Sequence, residues 1–95
     1  MLTTKQKAFL RSLAQTERAM IQVGKDAISD NLINNINELI KKRELLKISV
    51  LKNCPMDIKE CAFDLARLTN SELVQVIGRQ VIIYKKAKEP KILLP

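Results

Sequence analysis

Ninety-five residues make one small domain, long enough for a single modest core without disulfide or metal staples. A hydrophobic share of 46% beside 28% charged residues argues against general disorder, and no run approaches membrane-spanning length. The unusual number is the net charge of +7, which points to a polyanionic partner, nucleic acid ahead of a membrane surface. A cationic surface kept only for solubility is the plainer alternative.

The charge is unevenly placed. Residues 1–25 carry Lys5, Lys7, Arg11, Arg18 and Lys25 against Glu17, and residues 76–95 carry Arg79, Lys85, Lys86, Lys88 and Lys91 against Glu89. The middle nearly cancels. If the fold brings the two ends together, they form one positive face. Cys54 and Cys61 stand without any histidine, so a structural zinc site is not expected, nor any other metal or cofactor. The thiols read as reduced and the protein as cytoplasmic, with no signal peptide.

In chain order, Thr3 with Gln6 matches a capping box, and Leu10, Leu13 and Ala14 make an apolar stripe at helical spacing with Phe9 beside it. Lys5, Lys7 and Arg11 fall outside the stripe and give this helix a basic face. Ala19–Val23 reads as a buried strand that ends at Gly24. Ser29 caps a second helix, whose Leu32, Ile33, Ile36, Leu39 and Ile40 form a core-facing stripe. Lys41, Lys42 and Arg43 close that helix where its dipole favours cations, and this explanation stands slightly ahead of contact with RNA.

Leu46, Ile48 and Val50 alternate with Lys47 and Ser49 as in a strand with one buried face. After a turn at Asn53–Met56, Asp57 with Glu60 opens a third helix with Ile58, Cys61, Ala62, Leu65 and Ala66 on its stripe. Leu73–Ile77 and Val81–Tyr84 are two more strands, and Gly78 at the start of their link suits a type II′ hairpin. The order α-β-α-β-α-β-β predicts an α/β (α+β) two-layer sandwich with a four-stranded mixed sheet. The domain is expected over residues 1–86, and 87–95 is a basic tail whose Ile92–Leu94 either packs back, meets a partner or frays.

Ile21 to Ser29 is the stretch with chemistry in it. A strand-to-helix turn that opens on a helix N-terminus offers unpaired N–H groups and the positive end of a dipole, where a phosphate binds well. Lys25 stands in that turn. Gly24 and Lys25 also have ordinary readings, as a chain-reversal glycine and a solvated loop lysine. Phe9 and Phe63 adjoin helical stripes and read as core. Tyr84 reads as core or edge packing ahead of RNA contact. Recognition by stacking on strand aromatics is therefore disfavoured, and phosphate-backbone and shape recognition of folded RNA remains.

Four stretches carry a family resemblance over residues 2 to about 86. They are Leu2–Lys7 with Leu10, Arg11 and Ala14; Gln22-Val23-Gly24-Lys25; Arg43–Ile48 with Val50, Leu51 and Asn53; and Glu72–Arg79 with Tyr84. Together they resemble the CRM domain (chloroplast RNA splicing and ribosome maturation) in its stand-alone bacterial YhbY-type form. The resemblance implies a fold related to the C-terminal domain of translation initiation factor three. It implies association with large-subunit ribosomal precursors in bacteria and with group II introns in chloroplasts, and no enzymatic activity.

The family's GxxG loop would correspond to Gly24, Lys25, Asp26 and Ala27, with alanine where the family has its second glycine. If that position has a positive φ, alanine is strained there by about 1–2 kcal/mol. Asp26 sets a like charge against a phosphate in that loop, which weakens the anion-cradle reading. The expected RNA-binding set is these four residues with Lys5, Lys7, Arg11, Arg79, Lys85 and Lys86. A monomer is expected, with ribosomal RNA of the large-subunit precursor as partner, no membrane and no small-molecule substrate. A protein-interaction module on the ribosome is the rival reading. An enzyme is weaker, for want of histidine, of a base near either cysteine and of any NTPase motif.

Overall fold

The computed structural model describes residues 2–95, so of the expected 1–86 domain only residue 1 lies outside it. Three helices and four strands follow in the expected order: α1 (Thr4–Ala14), β1 (Ala19–Val23), α2 (Asp30–Arg43), β2 (Leu45–Val50), α3 (Ile58–Leu68), β3 (Glu72–Ile77) and β4 (Gln80–Tyr84). The sheet order is β1-β2-β4-β3. β1 and β2 are parallel and the other pairs antiparallel, giving the mixed sheet that the crossovers and the final hairpin require.

The helices begin where their caps are. Thr3 and Gln6 form the reciprocal capping box, Ser29 Oγ accepts the Leu32 N–H at 3.1 Å, and Asp57 accepts the Lys59 N–H. α3 ends in a Schellman motif. The Ser71 N–H donates to the Ala66 carbonyl at 2.9 Å and that of Asn70 to Arg67 at 3.2 Å, with Asn70 at φ 52° where a glycine is usual. In the β3–β4 hairpin Gly78 has φ +56° and Arg79 no positive φ, the pattern of a type II′ turn.

The strands alternate between two cores. Leu46, Ile48 and Val50 of β2 and Val81 and Ile83 of β4 face Ile36 and Ile40 of α2 and Cys61, Ala62 and Leu65 of α3. Leu45, Val74, Ile82 and Tyr84 face the other way, onto Leu10 and Ala14 of α1. The sandwich of sheet and α2/α3 thus carries a further layer, made of α1 and the end of the chain, since Ile92 and Leu94 also pack into this second core.

The end of the chain is anchored by Glu44. This residue caps α2 at φ 64° and leads directly into β2, and it is fully buried (0% exposed). Its carboxylate oxygens accept the backbone N–H groups of Ala87, Lys91 and Ile92, and its carbonyl accepts that of Lys85 at 2.8 Å. A buried carboxylate is tolerated only with such partners. Of the three readings left open for Ile92–Leu94, packing back is therefore the one observed for Ile92 and Leu94, while Leu93 stays 80% exposed.

Candidate nucleic-acid interface

Because β1 and β2 are parallel, their carboxyl ends, Val23 and Val50, lie side by side, and the β3–β4 hairpin arrives at the same end of the sheet. Loops at the carboxyl ends of parallel strands are where open α/β sheets bind ligands. Gly24 begins one of them. The Ala27 N–H donates to the Gly24 carbonyl at 3.0 Å, closing a β-turn with exposed Lys25 and Asp26 at its centre. Ile28, partly buried in the core, and the capping Ser29 intervene before α2 starts at Asp30. The turn is therefore not itself the helix N-terminus, and that terminus is already capped by Ser29 and flanked by Asp30.

The two loop ends have opposite backbone demands. Ala27 sits at φ 53°, in the left-handed conformation that favours glycine, and alanine is held there under strain. Gly24 has no positive φ. A Cβ built on it would meet Asn53 Oδ1 at 3.5 Å and Leu51 Cδ1 at 3.7 Å, ordinary contacts. Nothing within the fold demands glycine at 24.

Lys52 and Asn53, which lie outside the expected RNA-binding set, stand next to this turn. The Leu51 N–H donates to the Val23 carbonyl at 2.8 Å, and the tight turn that follows leaves Lys52 and Asn53 exposed. The signal was available: a loop after a strand parallel to β1 must end beside the Gly24 loop. Arg79, expected to bind RNA, is largely committed to the protein. Its Nε and one Nη donate to the Val50 and Leu51 carbonyls, both at 2.7 Å, so the guanidinium ties the hairpin to the end of β2. This arginine supports the loop cluster more than it extends it.

The other expected residues are elsewhere. Lys85 and Lys86 lie at the opposite end of the sheet, where Leu45, Tyr84 and Glu72 pair, and the Lys85 ammonium donates to the Thr69 carbonyl at 3.2 Å. α1 starts at that same end, its Gln6 donating to the Pro95 carbonyl at 3.3 Å, and Lys5 and Lys7 belong to its first turns. Arg11 is exposed farther along, beside a hollow lined by Gln75, Ile77 and Lys47. The chain ends do come together, but with each other and not with the Gly24 turn. Lys5, Lys7, Lys85 and Lys86 thus share one end of the sheet, while Lys25 and Arg79 lie at the other.

The aromatic residues need one correction. Tyr84 is core, but Phe63 is 67% exposed and Phe9 is at the surface. At about 100° per residue, position 63 points well away from the Cys61–Ala62–Leu65 stripe that it adjoins in sequence. Both exposed rings are on helices, so no strand stacking platform results. Cys54 and Cys61 are free and buried. Burial, then the neighbouring Cys54 and more weakly Asp64, push the Cys61 thiol up to about 11, which makes it a poor nucleophile. Among the described residues no group of acids and cysteines is arranged to hold a metal, and no helix is long and apolar enough to cross a membrane.

A small α/β domain with helices on both sheet faces, and a lysine-bearing turn where its two parallel strands end, defines the class. Residues 2–85 match the CRS1 / YhbY (CRM) domain. The chain is 47% identical over 91 residues to the Bacillus subtilis protein named "Probable RNA-binding protein YqeI", covering 96% of this chain and 95% of that one. It is 30% identical to a Haemophilus influenzae protein named "RNA-binding protein", covering 99% and 95%. The solution structure of the Staphylococcus aureus hypothetical protein SAV1595 superposes with a TM-score of 0.85 at 48% identity and full coverage of both chains. The chain belongs to the CRM-domain family.

Proposed function

We propose that this protein binds RNA through the Gly24–Ala27 turn and the adjoining Lys52–Asn53 turn, and that its target is ribosomal RNA of the large-subunit precursor. It acts there as a monomeric, cytoplasmic assembly factor and not as a catalyst. The observation that carries the reading is Gly24. Neither its φ nor the space around it calls for glycine, whereas close approach of a phosphate backbone does. Lys25 and Lys52 supply charge beside it, and the names of the similar proteins in Bacillus and Haemophilus support RNA as the ligand.

The test is RNA affinity against salt for wild type, Gly24→Ala and Lys25→Ala, on folded large-subunit rRNA fragments. Gly24→Ala is expected to leave stability unchanged or raise it by about 0.4–1 kcal/mol. Its RNA affinity should nevertheless fall, because the added methyl stands between backbone and phosphate. Lys25→Ala should flatten the log–log salt slope by nearly one unit. Wild-type affinity in both variants would make the loop a structural turn. The exposed Phe63 favours one rival, a protein-interaction module; that reading calls for binding to ribosomal particles that survives high salt and RNA removal, and fails if Phe63→Ser binds particles as wild type does.

A further inference from the structure

We propose that the tail end of the domain is a second, independent phosphate-binding site, so that one molecule holds two RNA segments at once, one at each end of the sheet. The proposal rests on the RNA-binding reading but not on the Gly24 turn. Lys41 and Lys42 from the last turn of α2 meet Lys86, Lys88 and Lys91 from the tail around two adjoining hollows. All five are exposed, and among the described residues none of their ammonium groups is paired with an acid. Glu89 is the one exposed carboxylate lining the hollows. Glu44 lies buried beneath, its oxygens taken by the tail N–H groups.

The α2 dipole accounts for Lys41 and Lys42. It does not account for Lys86, Lys88 and Lys91, which a different segment brings to the same place. A lysine-rich tail kept for solubility needs no anchor, yet here the backbone of residues 87, 91 and 92 is pinned to a buried carboxylate. The cations are thereby held close to one another, where they repel, before any ligand arrives. A polyanion relieves that repulsion, and pre-positioning lowers the ordering cost of binding it.

The two ends are electrostatically separate. β2 spans six residues, so Val50 beside the loop and Leu45 beside the tail are roughly 17 Å apart, about twice the screening length at physiological salt. An RNA backbone seated at one end therefore leaves the charge at the other unneutralised, and that end stays open to a second segment.

Two non-complementary RNA hairpins, one carrying a donor dye and one an acceptor, would be mixed with the full chain, and stoichiometry measured by sedimentation. Wild type should bind two hairpins per monomer and give energy transfer. The surface variant Lys86→Ala/Lys88→Ala/Lys91→Ala should melt as wild type does, bind one hairpin and give no transfer. The variant Lys25→Ala/Lys52→Ala should also bind one. If the tail variant keeps two hairpins and full transfer, or if wild type binds only one, the proposal that one molecule holds two RNA segments fails. If the loop variant alone keeps two while the tail variant drops to one, the tail site stands and the Gly24 reading fails. Tail-variant loss on anionic vesicles with RNA binding unchanged would overturn the proposal in favour of a membrane surface.

Discussion

Ala27 and Glu44 are both non-glycine residues with positive φ, and they differ in what holds them there. Ala27 is fixed by one turn hydrogen bond and by partial packing on the core. Replacing it by glycine relieves about 1–2 kcal/mol of left-handed strain but adds about 0.4–1 kcal/mol of unfolded-state entropy. Ala27→Gly is therefore expected to raise stability by about 0.5–1 kcal/mol on these terms, read from urea unfolding; a loss of more than that would show that the alanine methyl matters more than its backbone strain. Glu44 is held by three N–H groups on its carboxylate and one on its carbonyl. Glu44→Ala leaves those tail donors without acceptors, and a loss of about 2–4 kcal/mol is expected. Stability unchanged in Glu44→Ala would mean that the tail adds nothing to the fold.

At the scale of elements, all seven were legible, the helices by period and cap and the strands by their apolar runs, but β1, expected as a buried strand, is an edge strand on which only Val23 is buried. Thr3, Ser29 and Asp57 mark the helix starts, and the alternation of Leu46, Ile48 and Val50 marks the central strand. What was hidden depends on contacts distant in sequence. Glu44 follows three cations and reads as one more surface charge, and only the returning tail 43 to 48 residues later makes it core. Arg79 reads as a free hairpin cation until β2 places two carbonyls in front of it. Lys52 is brought beside Gly24 by the parallel pairing of β1 with β2, which no pattern local to Lys52 announces. The tail itself supplies an element-scale prediction. Residues 87–95 have no regular secondary structure, so Glu44 and the Ile92 and Leu94 contacts are what fix them. Trypsin should cut at Lys88 and Lys91 slowly in wild type and at once in Glu44→Ala, with the rest of the chain resisting for longer in both. Equal cleavage rates would show that the anchor does not order the tail in solution.

For the molecule as a whole, the two cores join at the sheet, and each contains a group that resists deprotonation. Burial, with Cys54 beside it, raises the Cys61 thiol from 9.0 to about 11 in the core under α2 and α3. Burial and, behind it, the Glu44 carboxylate raise Tyr84 above 10.0 in the core under α1. Both folded values lie above the unfolded ones, so the unfolded chain loses these protons first as pH rises. Their contribution to stability is complete below pH 9 and fades as pH climbs from 9.0 toward about 11, with the Tyr84 part beginning only above 10.0. Lysine titration also weakens this basic protein's self-repulsion at high pH, so the total curve mixes opposing trends. A difference between variants separates them. Cys61→Ala should be less stable than wild type at pH 8, from the lost sulfur packing, and the gap should narrow steadily by pH 10.5 because only wild type carries the buried thiol. Urea unfolding of the pair at the two pH values measures this directly. A gap that stays constant would place the Cys61 thiol in an environment no less favourable to charge than water, and the core under α2 and α3 would then have to be open to solvent.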